Sequence, residues 1–443
     1  MGDYINPMMA RSRALMTVMV LGCAFFCNFA CSKKLKSGTA IIVGKGEPAD
    51  LSPPDKGDQW LGHLGNHRNG RASDVNWEQN WLDREPGILW RKELGKGAAG
   101  VAVAHGRVFA VGNTEGSDTI YCLRIDDGVE EWSFSYGCPL GKRMFEGGPT
   151  ATPTIDPLNR RVYVLSHQGE LRCLDMSSGV ELWMRDYVRD LGGIMPQYGF
   201  AAAPLLVDNF LVVQPGGESN SVVALDPENG RKRWGSGSDA TSYSAPISFE
   251  HDGRHMLASF NAYGLALYEL SGGDVMARVP WKTQYNINAA TPCYFAGHVF
   301  IASGYGKGAG LIAIVEGGGE LIYETRDVAC QFQSPVRSGG FLYIVSGDNS
   351  TKARLCCLRF DNGVMQWSVP LGGNRGNVII AGDKLVVVTE RGEAMLCEAS
   401  PEGFVDMGRF QALGGRCWAP PSIAAGKLFV RNNSGRLACY GLR

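Results

Sequence analysis

Residues 150–185 read TATPTIDPLNRRVYVLSHQGELRCLDMSSGVELWMR. They divide into four short strands at 150–156, 161–166, 170–175 and 181–185. Val162 and Val164 mark the second strand, Leu171, Cys173 and Leu174 the third, and Trp183 the fourth. Asn159, Gly169, Asp175 and Gly179 are turn formers in the gaps. A four-stranded sheet patterned this way has two apolar faces. It can bury them only against further sheets of the same kind.

Those further sheets are present. A turn glycine and the residue four positions later recur as Gly128/Trp132, Gly179/Trp183, Gly230/Trp234, Gly273/Ala277, Gly319/Tyr323, Gly363/Trp367 and Gly403/Met407. The spacing averages about 46 residues, the period of four-stranded propeller blades. Six residues before each glycine one slot holds Cys122, Cys173, Ala224, Leu267, Ala313, Cys357 and Cys397. A small residue before proline recurs upstream in Thr152-Pro153, Ala203-Pro204, Ala245-Pro246, Thr291-Pro292 and Ser334-Pro335.

An eighth unit, 421–442, supplies three strands and ends one short, with Cys439 in the slot. Residues 88–92, ILWRK, stand as an orphan fourth strand ahead of the first full unit. Pairing the two ends closes a ring and removes exposed sheet edges. The expected fold is therefore all-β: an eight-bladed propeller over 58–443, closed by an N-terminal strand on the C-terminal blade.

The segment 58–94 holds a Trp, a Gly-rich run, Arg-Asn-Gly and then Leu-Trp. With YCLRIDDGVEEW, LRCLDMSSGVELW, VVALDPENGRKRW and LCCLRFDNGVMQW it resembles the PQQ-like β-propeller repeat proteins. These are exported proteins and lipoproteins akin to the outer-membrane assembly factor BamB, abundant in planctomycete-type bacteria. The resemblance implies that Trp90, Trp132, Trp183, Trp234 and Trp367 dock each blade on the next. Ala277 and Met407 depart from it, and Trp281 stands ready to replace Ala277. It also implies a non-catalytic scaffold for protein or peptide partners in the cell envelope, on the periplasmic side of a membrane. The alternative is a quinoprotein dehydrogenase using the channel. The motif is specific for the fold and not for the function.

The N-terminus reads as an export segment. Arg11 and Arg13 precede an apolar run, 14–30, that Cys31-Ser32-Lys33-Lys34 ends abruptly. Cys31 is the expected lipidation site and Cys23 a second candidate; an uncleaved anchor and plain cleavage are the other readings. Residues 32–57 are expected to form a flexible tether. Among 13 cysteines, Cys122, Cys173, Cys357, Cys397 and Cys439 share the buried slot of separate blades, too far apart to bridge, so free thiols are expected.

With 43 basic and 44 acidic residues and no basic run, the chain lacks the footprint of nucleic-acid binding. The seven histidines show no metal-ligand spacing. Gly304-Tyr305-Gly306-Lys307-Gly308 follows a strand but opens no helix, so it reads as a turn and not a phosphate loop. A monomeric propeller is expected.

Longer connections between an outer strand and the next inner strand fall at 135–148, 188–200, 280–288 and 370–377. Loops of this class crowd one mouth of the channel. Arg143, Gln197, Tyr198, Tyr243, Asn286, Asn288, Gln331, Gln333, Asn377, Arg416 and Trp418 are the candidate binding residues there. A polar mouth also holds ordered water without any ligand. A quinone–calcium enzyme would need several carboxylate oxygens and a base. Glu146 is the one acidic residue placed near the mouth, and the adjacent Cys356-Cys357 falls inside a strand. No catalytic, cofactor or metal residue is therefore assigned, and neither pyrroloquinoline quinone nor Ca²⁺ is expected.

Overall fold

Eight antiparallel sheets follow one another along the chain. The computed structural model describes residues 41–44, 57–77, 80–141 and 145–443. The expected export segment with Cys23 and Cys31, most of the tether, and Arg143 lie outside the described residues.

Blade 1 consists of Ala102–Ala104, Arg107–Thr114, Ser117–Arg124 and Glu130–Gly137. Blade 2 consists of Thr154–Asp156, Arg161–Leu165, Glu170–Asp175 and Glu181–Asp186. Its first strand starts after Pro153, which has no N–H to give the ladder. Blades 3 to 7 begin on the inner strands Leu205–Val207, Ile247–His251, Cys293–Phe295, Val336–Ser338 and Gly376–Ala381. Their outer strands are Lys232–Ser236, Val275–Pro280, Gly318–Thr325, Met365–Pro370 and Asp406–Gln411. Blade 8 takes Ser422–Ala424, Lys427–Arg431 and Arg436–Gly441 from the C-terminus and Gly87–Glu93 from the N-terminal side. Trp90 pairs with Cys439 across that seam.

Two blades carry a fifth strand. Ile41–Gly44 adds antiparallel to the outer strand of blade 1, within the segment expected to be a tether. Arg71–Ala72 adds parallel to the inner strand of blade 7.

The repeated slot faces the outer-strand aromatic: Cys122 opposes Trp132, Cys173 opposes Trp183, Ala224 opposes Trp234 and Cys357 opposes Trp367. Two blades differ from the sequence register. In blade 5, Leu311 and not Ala313 opposes Tyr323. The two strands there are eight residues long and the turn glycine is Gly317, which shifts the slot. In blade 7, a bulge sets Cys397 opposite Asp406 rather than Met407.

The outer-strand indoles reach into the following blade. Trp90 Nε1 donates to the Ile125 carbonyl at 2.9 Å, Trp132 to Met176 at 3.0 Å, Trp183 to Pro227 at 3.1 Å and Trp367 to Ser400 at 2.9 Å. Tyr323 Oη does the same to Phe360 at 3.0 Å. The Trp234 indole N–H is buried without a partner. Past Ala277, the fully buried Trp281 covers Gly310 of blade 5 and donates to Ser303 Oγ at 3.1 Å.

Residues 57–72 close the axis. Trp60 bridges Val103 of blade 1, and the Leu61 carbonyl accepts from Ile155 of blade 2. Arg68, buried, donates to the Ala203 carbonyl at 2.9 Å, to Pro246 at 3.3 Å and to Pro204, tying blades 3 and 4. His63 Nε2 meets Thr291 Oγ1 at 2.9 Å beside blade 5. Gly70 lies against Val336 of blade 6, its carbonyl accepts from Ile380 of blade 7, and the Gly57 carbonyl accepts from Ala425 of blade 8. One short segment thus touches every blade and seals one end of the channel.

Candidate functional site

Above that plug lies a cavity of about 260 Å³ with His63 and Leu64 at its base. Its wall takes residues from every blade. The small-Pro repeat forms a collar: Thr152, Ala203, Ala245 and Ser334 line the cavity, while Thr291 holds His63. Eight inner strands converge on the axis, and only short side chains leave a space there. Burial, and then the Arg68 charge, press the His63 pKa down to about 3, so its ring is neutral.

The mouth is aromatic. Tyr198, Tyr243 and Tyr305 stand on blades 3 to 5, and Phe145, Phe332 and Trp418 face them. Tyr243 Oη accepts the Tyr198 backbone N–H at 3.2 Å, and burial pushes its pKa up to about 12. Phe145 meets Trp418 edge-on at 4.8 Å, and Phe332 packs on Trp418 at 5.3 Å.

Two arginines flank Trp418. Arg375 lies 5.0 Å from its ring and Arg416 lies 4.8 Å away. Arg375 is 5% exposed, donates to Gln331 Oε1 at 2.8 Å, and pairs with Glu390 at 3.2 Å. The Trp418 indole donates to Glu390 Oε1 at 2.9 Å. Arg416 pairs with Glu146 at 2.5 Å. Burial pushes the Glu390 carboxyl up, but the Asn374 N–H, Trp418 and Arg375 outweigh it and hold it below its usual range. Glu146 follows the same course: Arg416 outweighs its partial burial. Both carboxylates are ionised and matched by a guanidinium.

The sequence candidates divide accordingly. Tyr198, Tyr243, Gln331, Asn377 and Trp418 line the cavity, and Arg416 sits behind Trp418. Asn288 and Gln333 do not face it. Both are fully buried: Asn288 Nδ2 donates to the Asn261 and Trp281 carbonyls, and Gln333 Nε2 donates to Gly347. Both stand in the connections ahead of the inner strands Cys293–Phe295 and Val336–Ser338, where their amides satisfy backbone carbonyls of neighbouring loops and strands instead of facing the cavity. Gln197 and Asn286 are exposed outside the cavity lining. Glu390 joins Glu146 as a second carboxylate at the mouth, and Arg375, Phe145, Tyr305 and Phe332 were not picked from sequence. Phe332 and Gln331 precede Ser334-Pro335, so the collar repeat was the signal that could have found them. The 188–200 connection also opens with a short helix, Tyr187–Leu191, capped by Asp186.

Residues 145–369 match the family model described as "Outer membrane protein assembly factor BamB". No curated protein matches the sequence. Among solved structures, BamB from Moraxella catarrhalis is similar with TM-score 0.57 and 13% identity, over 80% of this chain and 97% of that one. A europium-containing methanol dehydrogenase is similar with TM-score 0.66 and 10% identity, over 87% and 98%. A quinohemoprotein alcohol dehydrogenase from Comamonas testosteroni gives 0.59 and 12%, over 87% and 80%. At these identities the likeness is one of fold, and it spans BamB and dehydrogenases alike. The family model reaches across half of the chain, so this chain belongs to the BamB-type family of PQQ-like propellers.

Proposed function

We propose that the propeller is a non-catalytic envelope scaffold whose aromatic mouth captures a peptide segment of a partner protein. The observation that carries this reading is the pairing of both described arginines at the mouth, Arg375 and Arg416, with a carboxylate inside a ring of Tyr, Phe and Trp. Such a surface offers flat apolar contact and hydrogen bonds, with little net charge. Family membership supports an envelope location and a role in outer-membrane protein assembly. Among the described residues no helix is long and apolar enough to cross a membrane. Attachment would fall to the N-terminal segment, with Cys31 as the lipidated residue.

A quinone–calcium cofactor does not fit these residues. Calcium takes six to eight oxygens, several from carboxylates. Glu146 is held by Arg416, and Glu390 by Arg375 and Trp418. The adjacent Cys356 and Cys357 lie within the strand Arg354–Arg359, away from the mouth.

The test is a photo-crosslinking residue at Tyr198 in cells, with Leu158, an exposed side chain far from the mouth, as control. Crosslinks to one polypeptide from position 198 alone support the reading. Calorimetric titration with the quinone and Ca²⁺ runs beside it. Tight Ca²⁺-dependent binding with alcohol-oxidising turnover lost in Glu146→Gln would replace the scaffold by the enzyme.

A further inference from the structure

We propose that Asp118, Cys138 and His167 form a zinc-type metal site that staples blade 1 to blade 2. Asp118 lies on the strand Ser117–Arg124, Cys138 directly follows the outer strand of blade 1, and His167 lies in the turn after Arg161–Leu165 of blade 2. They are 0%, 1% and 4% exposed. One ligand atom from each lies within 4.8 Å of the others.

The geometry is near that of a bound ion. Cys138 Sγ is 3.5 Å from His167 Nδ1. In a tetrahedral zinc site the usual bond lengths put a sulfur and a nitrogen ligand about 3.6 Å apart. The Asp118 oxygen lies within 4.8 Å of the other two ligand atoms.

The surroundings orient these groups. Asn113 Nδ2 donates to Asp118 Oδ1 at 2.7 Å and to the Cys138 carbonyl at 2.8 Å. Tyr136 Oη donates to Asp118 Oδ2 at 3.3 Å. The His167 ring also bonds the Pro139 carbonyl, the kind of outer contact that fixes a ligand's tautomer. Tyr136 or a water would complete four-coordination.

Charge supplies the independent argument. Asp118 is fully buried, and among the described residues no Lys, Arg or His forms an ion pair with it. A buried carboxylate needs a compensating charge or a proton. A divalent ion bound by a thiolate, a carboxylate and a neutral imidazole is electrically neutral, and binding releases the thiol proton. A sulfur and an imidazole together select zinc over calcium or magnesium.

The experiment strips the purified chain with chelator, then adds Zn²⁺ or Co²⁺ alone. One equivalent of zinc should survive dialysis and raise the melting temperature. The cobalt form should show a thiolate-to-cobalt charge-transfer band and tetrahedral d–d bands. Cys138→Ser should abolish the charge-transfer band, and Cys173→Ser should keep it. A thiol–imidazole hydrogen bond has the same 3.5 Å separation but gives no such band. Absence of the band in the unaltered chain, or its survival in Cys138→Ser, overturns the site. The measurements on the unaltered chain decide the matter even where a variant fails to fold.

Discussion

The indole of Trp132 lies flat on the α-carbon of Gly179 in the next blade, so close that a Cβ there would sit 2.6 Å from the ring. The same relation links Trp90 to Gly128, Trp183 to Gly230, Trp234 to Gly273 and Tyr323 to Gly363. Each of these glycines also has a positive φ, near 70–80°. The glycine and the aromatic of the repeat are thus partners across blades and not within one.

Gly179→Ala therefore meets two penalties. The left-handed backbone costs about 1–2 kcal/mol, and displacing the indole adds about 1–3 kcal/mol. Gly192, with φ 65° and nothing within 4 Å of a Cβ, isolates the first term. Thermal melts should show a clearly larger loss for Gly179→Ala than for Gly192→Ala. Equal losses would show that the ring yields freely.

Trp132→Phe and Trp234→Phe differ in one hydrogen bond. Trp132 Nε1 donates to Met176 at 3.0 Å, while Trp234 Nε1 has no partner. Removing the first should cost about 1 kcal/mol more. Denaturant titration of the two variants measures the difference, and a larger loss at Trp234 contradicts it.

His63 should make the protein acid-sensitive. Its folded pKa, about 3, lies below the unfolded value near 6.5. Acid therefore protonates the unfolded chain first. The contribution is whole above pH ~6.5 and is lost as pH falls toward 3, at up to about 1.4 kcal/mol per unit. The ring borders the cavity, and water there softens this slope. The melting temperature of His63→Gln should fall less steeply than that of the unaltered chain between pH 6.5 and 5; parallel curves would exclude His63 as the source.

Glu390→Gln leaves Arg375 buried without its counter-charge, at a cost of about 3 kcal/mol. Glu93→Gln breaks the exposed pair with Arg436 and should cost about 0.5 kcal/mol or less. Chemical denaturation of both variants separates the cases. Arg375 also donates to Gln331 Oε1 and Asn349 Oδ1, and a Glu390→Gln variant as stable as Glu93→Gln would mean that these two acceptors satisfy it alone.

All ten cysteines among the described residues are free, and burial pushes the thiols of Cys122, Cys173, Cys357, Cys397 and Cys439 up. Alkylation of the denatured, unreduced protein should label all five. A mapped disulfide between any two would contradict the blade assignment.

The sequence by itself determined the ring. Period-2 strands, turn glycines and the Cys/Ala slot are local signals, and repetition at about 46 residues makes each blade corroborate the next. The missing strand at 421–442 and the orphan at 88–92 fixed closure, because an unpaired edge has to be covered. Register failed in blades 5 and 7, where turn length and a bulge moved the slot; no composition signal marks either. Tyr198, Tyr243 and Trp418 were legible at the mouth because their loops join outer to inner strands. Asn288 and Gln333 were not, since a loop amide turns toward whichever backbone carbonyl is left without a donor, and the carbonyls of Asn261, Trp281 and Gly347 lie 7 to 27 residues away along the chain. The plug at 57–72, the Arg375–Glu390–Trp418 cluster and the Asp118–Cys138–His167 group belong to the tertiary structure alone. Each joins residues from different blades, and no spacing along the chain encodes a distance across the ring.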